Sequence, residues 1–108
     1  LYHMEFKTVA KLFPNQCSII YENKEITYNQ LDIMSNSLAN YLKEYGIKRN
    51  DIVPIICNRT YIFIVAILAV MKAGGAFLYI DPDLPKDRIH FMINESKSKL
   101  ILKCLDMD

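Results

Sequence analysis

Two continuous apolar runs flank a helix that is apolar on every side, and this arrangement limits the folds open to the chain more than any other feature. The first run is Ile52-Val53-Pro54-Ile55-Ile56-Cys57 and the second is Ala76-Phe77-Leu78-Tyr79-Ile80. Neither alternates apolar with polar residues, so each reads as a strand covered on both faces, as in a parallel sheet. Between them, Tyr61 to Ala73 has no charge before Lys72 and reads as a helix buried all round. Gly74-Gly75 ends that helix. Strand, helix and strand in this order form a right-handed crossover unit. Pro54 has no N–H to give to a ladder, so it is expected near the strand start, at an edge or at a bulge.

The flanking segments extend the pattern. Phe6, Val9, Ala10 and Phe13 recur at helical spacing and Pro14 stops them. Ser18 to Tyr21 and Glu25 to Tyr28 read as a hairpin around Glu22-Asn23-Lys24. Thr27 is placed to cap the next helix, with Gln30 completing a capping box. Leu31, Met34, Leu38, Leu42 and Tyr45 give that helix one apolar stripe, and Gly46 supplies a left-handed cap. Asn58 or Thr60 is expected to cap the buried helix. Asp81-Pro82-Asp83-Leu84-Pro85 reads as a turn, with Asp83 or Leu84 as N-cap and Pro85 in the first helical turn. Ile89, Met92 and Ile93 are expected to face inward from a helix ending near Ser96, followed by a strand over Lys99 to Leu102.

The fold class is therefore α/β: a partial parallel sheet with alternating helices, βαβαβ, preceded by a short helix and a β-hairpin. No repeat or linker divides it, and residues 1–108 read as one incomplete domain. The chain begins with Leu1, as expected for one cut from a longer protein or processed.

Composition narrows the functional classes. With 52% hydrophobic and 23% charged residues the chain is globular in type, and a net charge of +1 gives no bulk attraction for nucleic acid or a membrane surface. The longest uncharged stretch, Thr60 to Met71, falls short of the roughly 20 residues a membrane span needs. No secretory leader is expected, because no apolar core follows a basic start. Cys17, Cys57 and Cys104 are odd in number and far apart, which reads as reduced thiols in a cytoplasmic protein rather than a disulfide framework or zinc site.

Candidate chemical residues receive structural readings. Gly74 and Gly75 follow a helix and precede a strand, the reverse of a phosphate-binding loop, so they are read as a helix stop and a close-packing point. Lys72 complements a helix dipole. Asp81 lies just past a strand end, the edge where open α/β sheets bind ligands, but it is read first as a capping or turn residue. Lys86 and Arg88 are expected to be solvated, and His3 and His90 are isolated. No catalytic, cofactor-binding or metal-binding residue is assigned in this chain.

Two stretches resemble signatures of the adenylate-forming, AMP-binding superfamily. Ile26-Thr27-Tyr28-Asn29-Gln30-Leu31 is similar to the opening motif L-T-Y-x-E-L, and Ser35-Asn36-Ser37-Leu38-Ala39 to the S-N-x-L-A that follows it. Met71-Lys72-Ala73-Gly74-Gly75-Ala76-Phe77-Leu78-Tyr79-Ile80-Asp81-Pro82 resembles L-K-A-G-G-A-Y-x-P-I-D-P, and its extension through Arg88-Ile89 fits as well. Gln30 stands where glutamate is usual and Tyr79 where proline is usual. The double glycine followed by Ala76-Phe77 favours the nonribosomal peptide synthetase branch.

The resemblance implies an N-terminal scaffold segment of an adenylation domain. The intact enzyme would use ATP and Mg to convert an amino acid to its adenylate and pass the acyl group to a carrier-protein thiol. The phosphate loop, ribose aspartate and catalytic lysine of that family would lie beyond this chain. Thr27, Tyr28, Gln30, Leu31, Lys72, Ala73, Gly74, Gly75, Asp81, Pro82 and Arg88 would then be structural motif residues. The implied partner is the remainder of the adenylation domain, with self-association expected of the isolated segment. An acyl-CoA synthetase segment and a truncated, non-catalytic interaction module are the alternative readings.

Overall fold

The computed structural model describes residues 10–12, 15–21, 24–58 and 61–104. Of the expected first helix only residues 10–12 are described, and they are helical with Ala10 buried; its other residues, His3, Thr60 and most of the hairpin turn lie outside the described residues. The described elements are β1 (Cys17–Tyr21), β2 (Lys24–Thr27), α1 (Tyr28–Tyr45), β3 (Ile52–Cys57), α2 (Tyr61–Lys72), β4 (Ala76–Ile80), α3 (Lys86–Ser96) and β5 (Leu102–Cys104). β1 and β2 form an antiparallel hairpin, with a register irregularity between Cys17 and Ile19. β3, β4 and β5 form a parallel sheet in the order β4-β3-β5. The α/β class with alternating helices is thus the observed one.

Successive side chains of β3 point to opposite faces. Val53, Ile55 and Cys57 face the core formed with Ala39 and Leu42 of α1 and Ala66, Ala69 and Val70 of α2. Ile56 faces the other way, toward Ile89 and Ile93 of α3. α2 and α3 therefore lie on opposite faces of the sheet.

The central strand accommodates Pro54 in its middle, contrary to the expected start, edge or bulge. The Ala76 amide donates to the Asp51 carbonyl at 2.8 Å. Peptide groups alternate sides along a parallel ladder, so odd-numbered residues of β3 address β4 and even-numbered ones address β5. The Pro54 nitrogen thus faces the β5 side, one residue before pairing with β5 begins at Ile55. The missing donor falls where no ladder bond is required. The same alternation turns the peptide group of Tyr79 away from β3.

Other expectations shift. β5 starts at Leu102, not Lys99; the Lys99 ammonium donates to the Gly46 carbonyl and to Asp51, both at 3.0 Å. Pro85 itself is the N-cap of α3, with no side-chain capping bond. Asp81 instead closes the preceding turn. α3 buries none of its residues; Ile89, Met92 and Ile93 are only half-covered. α2 is not buried all round: Val65, Ala66, Leu68, Ala69 and Val70 are buried, whereas Ile62 and Ile64 are exposed.

Candidate functional site

The first signature stretch is a helix start. Thr27 adopts extended backbone and its Oγ1 accepts from the Gln30 amide at 3.1 Å, while Gln30 Oε1 accepts from the Thr27 amide at 2.8 Å. Two otherwise orphaned donors are satisfied reciprocally. The Tyr28 amide donates to the Gln16 carbonyl at 3.1 Å, which ties the helix start to the hairpin. Leu31 is buried beside Ile26 and Val65.

The second stretch is a helix stop. Gly74 has φ +90°, its amide donates to Met71, and the Gly75 amide donates to Val70, both at 3.0 Å. This is a Schellman closure, and Gly46 with Ile47 repeats it at the end of α1, onto Lys43 and Leu42. Ala73 is buried under the turn. Gly75 is held tightly: a Cβ there would lie 2.9 Å from the Asp51 carbonyl oxygen and 3.3 Å from both Ile47 and Val70.

Lys72 joins the two stretches. Its side chain is 5% exposed, and Nζ donates to Asp32 Oδ1 at 2.8 Å, Ser35 Oγ at 2.6 Å and Asn36 Oδ1 at 2.9 Å. Asn36 Nδ2 donates in turn to Asp32 Oδ2 at 3.3 Å, and Ser35 Oγ to the Asp32 carbonyl at 3.2 Å. The seat comes from one turn of α1, at positions i, i+3 and i+4. Reading Lys72 only as a dipole partner misses this seat. The available signal was Ser35, a hydroxyl in line with Leu31, Ala39 and Leu42 on the buried face of α1, where a polar group needs a partner.

Asp81 and Pro82 sit where β4 ends. Asp81 Oδ1 accepts from the Asp83 amide at 2.9 Å, and its carbonyl accepts from Leu84 at 3.2 Å. With Asn58, Tyr79 and Asp83 they line an open crevice of about 300 Å³. Tyr79 packs on Phe63 with ring centroids 5.0 Å apart. Arg88 is exposed on α3, its guanidinium 5.6 Å from the Phe91 ring centre. A second cleft, of about 700 Å³, lies between α3 and the sheet and is bordered by Ile89, Ile93, Ile101 and Lys103.

The Gly74-Gly75 turn leaves no room for a phosphate at Gly75. The space beside Gly75 that a phosphate would need is filled by the Asp51 carbonyl, Ile47 and Val70. Among the described residues, no group of three or more His, Cys, Asp or Glu could hold a metal. No helix among them is long and apolar enough to cross a membrane. Cys57 is buried, its Sγ donating to the Asn58 carbonyl at 2.9 Å. The side chains of Cys17 and Cys104 lie outside the description. His90 is exposed.

A three-stranded parallel sheet with helices on both faces places this chain in the α/β class, and Thr27, Gln30, Lys72, Gly74 and Gly75 cap, clasp and stop its helices. The chain belongs to the AMP-binding enzyme family, whose model matches residues 6–107. It is 41% identical over 104 residues to bacitracin synthase 3 of Bacillus licheniformis, covering 96% of this chain and 2% of that protein. It is 37% identical over 100 residues to tyrocidine synthase 1 of Brevibacillus parabrevis, covering 93% and 9%. The chain thus spans a small part of the curated relatives it matches.

Solved structures share the fold. The nonribosomal peptide synthetase FmoA3 superposes with a TM-score of 0.92 at 23% identity, covering 95% of this chain and 11% of that one. The Klebsiella oxytoca NpsA N-terminal subdomain superposes with a TM-score of 0.82 at 21% identity, covering 96% and 30%.

Proposed function

We propose that this chain is the N-terminal scaffold segment of a nonribosomal peptide synthetase adenylation domain, and that residues 1–108 are one incomplete domain. The observation that carries this reading is the 37–41% identity to bacitracin and tyrocidine synthases over nearly the whole chain. The fold shared with a solved N-terminal subdomain supports it. The whole enzyme would act in the cytoplasm, activate an amino acid with ATP and Mg as the adenylate, and deliver the acyl group to a carrier protein. The signature residues Thr27, Tyr28, Gln30, Leu31, Lys72 to Gly75, Asp81, Pro82 and Arg88 serve the scaffold in this reading, and the segment is inactive alone.

Adenylyl transfer needs placed donors around developing charge. Among the signature residues, Thr27 and Gln30 spend their polar groups on a cap, Asp81 on a turn and Lys72 on its seat. Pyrophosphate exchange into ATP by the 108-residue chain should therefore stay at background with each of the twenty common amino acids. Exchange above background with any of them would overturn the scaffold reading.

A further inference from the structure

α1 and α2 meet across a largely apolar surface. Their shared core includes Ala39 and Leu42 on one side and Ala66, Ala69 and Val70 on the other, with Leu38, Phe63 and Ile67 packed against it, and Leu31 of α1 clusters with Val65 of α2. Apolar contact has no direction, so packing of this kind sets the alignment of two helices through shape alone. The Lys72 ammonium in its seat on α1 is a directional contact between the same two helices.

We propose that Lys72 is a register pin for the α1–α2 pair, with Asp32, Ser35 and Asn36 as its receptor. The three acceptors occupy a single helical turn, so they take a tetrahedral ammonium at one height along α1. A slide of one turn, about 5.4 Å, would carry Nζ out of hydrogen-bond reach of all three. It would also strip a buried charge of its partners, which folded proteins rarely tolerate. In the seated alignment three protein acceptors replace water, and the net gain from such an exchange is modest. The pin therefore acts mainly by excluding wrong alignments.

Its place in the chain gives this a consequence. Lys72 is the last residue of α2, and the Gly74-Gly75 turn and β4 follow at once. Gly75 must arrive against the Asp51 carbonyl with no room to spare. Fixing the height of Lys72 fixes where that turn lands, and with it the pairing of Ala76 opposite Ile52.

The test replaces charge and seat together, as Lys72→Met with Asp32→Leu in the full chain. Tyrosines are replaced by fluorotyrosine and read by fluorine NMR at low protein concentration. Tyr28 starts α1 and Tyr61 starts α2, so both rings report on the pair. The wild-type chain should give one resonance per ring, and the double variant should split those of Tyr28 and Tyr61 into two or more. A single sharp set from a folded double variant would overturn the proposal, because packing alone would then set the register. If the double variant does not fold, Lys72→Arg decides. Its planar fork keeps the charge but does not match a three-acceptor seat, so splitting is again expected. An unsplit spectrum, or loss of folding in both variants, would show that the clasp is only a charge pair or a stability contact.

Discussion

Gly75 faces the Asp51 carbonyl so closely that a Cβ on it would lie 2.9 Å from that oxygen. The Asp51 oxygen cannot withdraw, because it accepts the Ala76 amide at 2.8 Å in the first rung of the β3–β4 ladder. A side chain at position 75 must therefore break that rung or push Ile47 and Val70 outward. Gly75→Val is expected to cost roughly 1–3 kcal/mol, read as a lowered melting temperature. Gly74 differs in kind: its surroundings are roomier but its φ is +90°, so Gly74→Ala should cost about 1 kcal/mol through backbone strain. An unshifted melting temperature in Gly75→Val would remove the close-packing role.

The capping box on α1 gives a second measurement. Thr27→Ala removes the acceptor for the Gln30 amide and should lower stability by about 1 kcal/mol in denaturant unfolding. Gln30→Glu restores the family's usual residue and keeps the reciprocal bond while adding negative charge near the helix N-terminus, where α1 has no acidic residue in its first turn. It should raise stability by about 0.5 kcal/mol at low salt and lose that gain at high salt. A Gln30→Glu chain no more stable than wild type at low salt would show that the dipole contribution is negligible here.

Features of this kind were legible because they are local. Thr27 with Gln30, and Gly46, carry their meaning within a few residues, and the structure places them where spacing predicts. The alternation of apolar runs likewise announced the parallel sheet. The Lys72 seat was not legible in the same way, because its acceptors lie 36 to 40 residues upstream, and helical periodicity does not say which faces meet. Pro54 misled because proline rules concern whichever neighbour the nitrogen addresses, and that depends on where β5 begins. The three-residue shift of β5 has a similar origin: apolar character marks Leu100 to Leu102, whereas pairing with β3, which begins at Leu102 opposite Ile55, decides which residues enter the ladder.

Asp51 supplies a pH-dependent prediction. The backbone amide of Lys48, at 2.7 Å, and then the Lys99 ammonium, at 3.0 Å, hold its carboxyl below the ordinary value of 3.8. A carboxyl depressed in the folded state stabilises that state above its unfolded pKa, and the contribution fades as pH falls through the folded value. Asp51→Asn should therefore be less stable than wild type at pH 7 and pH 5. The gap should begin to shrink below about pH 4, where the unfolded chain's carboxyl takes up its proton, and be lost as pH falls through the lower folded value. Chemical unfolding of both chains at each pH reads the difference directly. A gap that persists unchanged at pH 2.5 would mean that lost geometry, not lost charge, accounts for it.

The remaining prediction concerns association. α2 exposes Ile62 and Ile64 at 39% and 38% on one side of the sheet, and Phe91 and Ile101 are exposed at 53% and 41% on the other. Ile33 of α1 and Phe77 of β4 add 59% and 41%. At about 25 cal/mol per Å², covering what remains open of each such side chain is worth on the order of 1 kcal/mol. Two copies that cover several of them gain enough to offset part of the rotational and translational cost of pairing, which gives association of moderate strength. Light scattering over a dilution series should show a dimer or larger species at micromolar concentration, with hydrophobic dye bound in the dilute state and released as the species grows. Because α2 and α3 lie on opposite faces, substitution separates the surfaces: Ile64→Glu weakens association if the α2 side is used, and Phe91→Glu if the α3 side is used. A chain that stays monomeric across the series and binds no dye would show that these side chains do not form a continuous apolar surface.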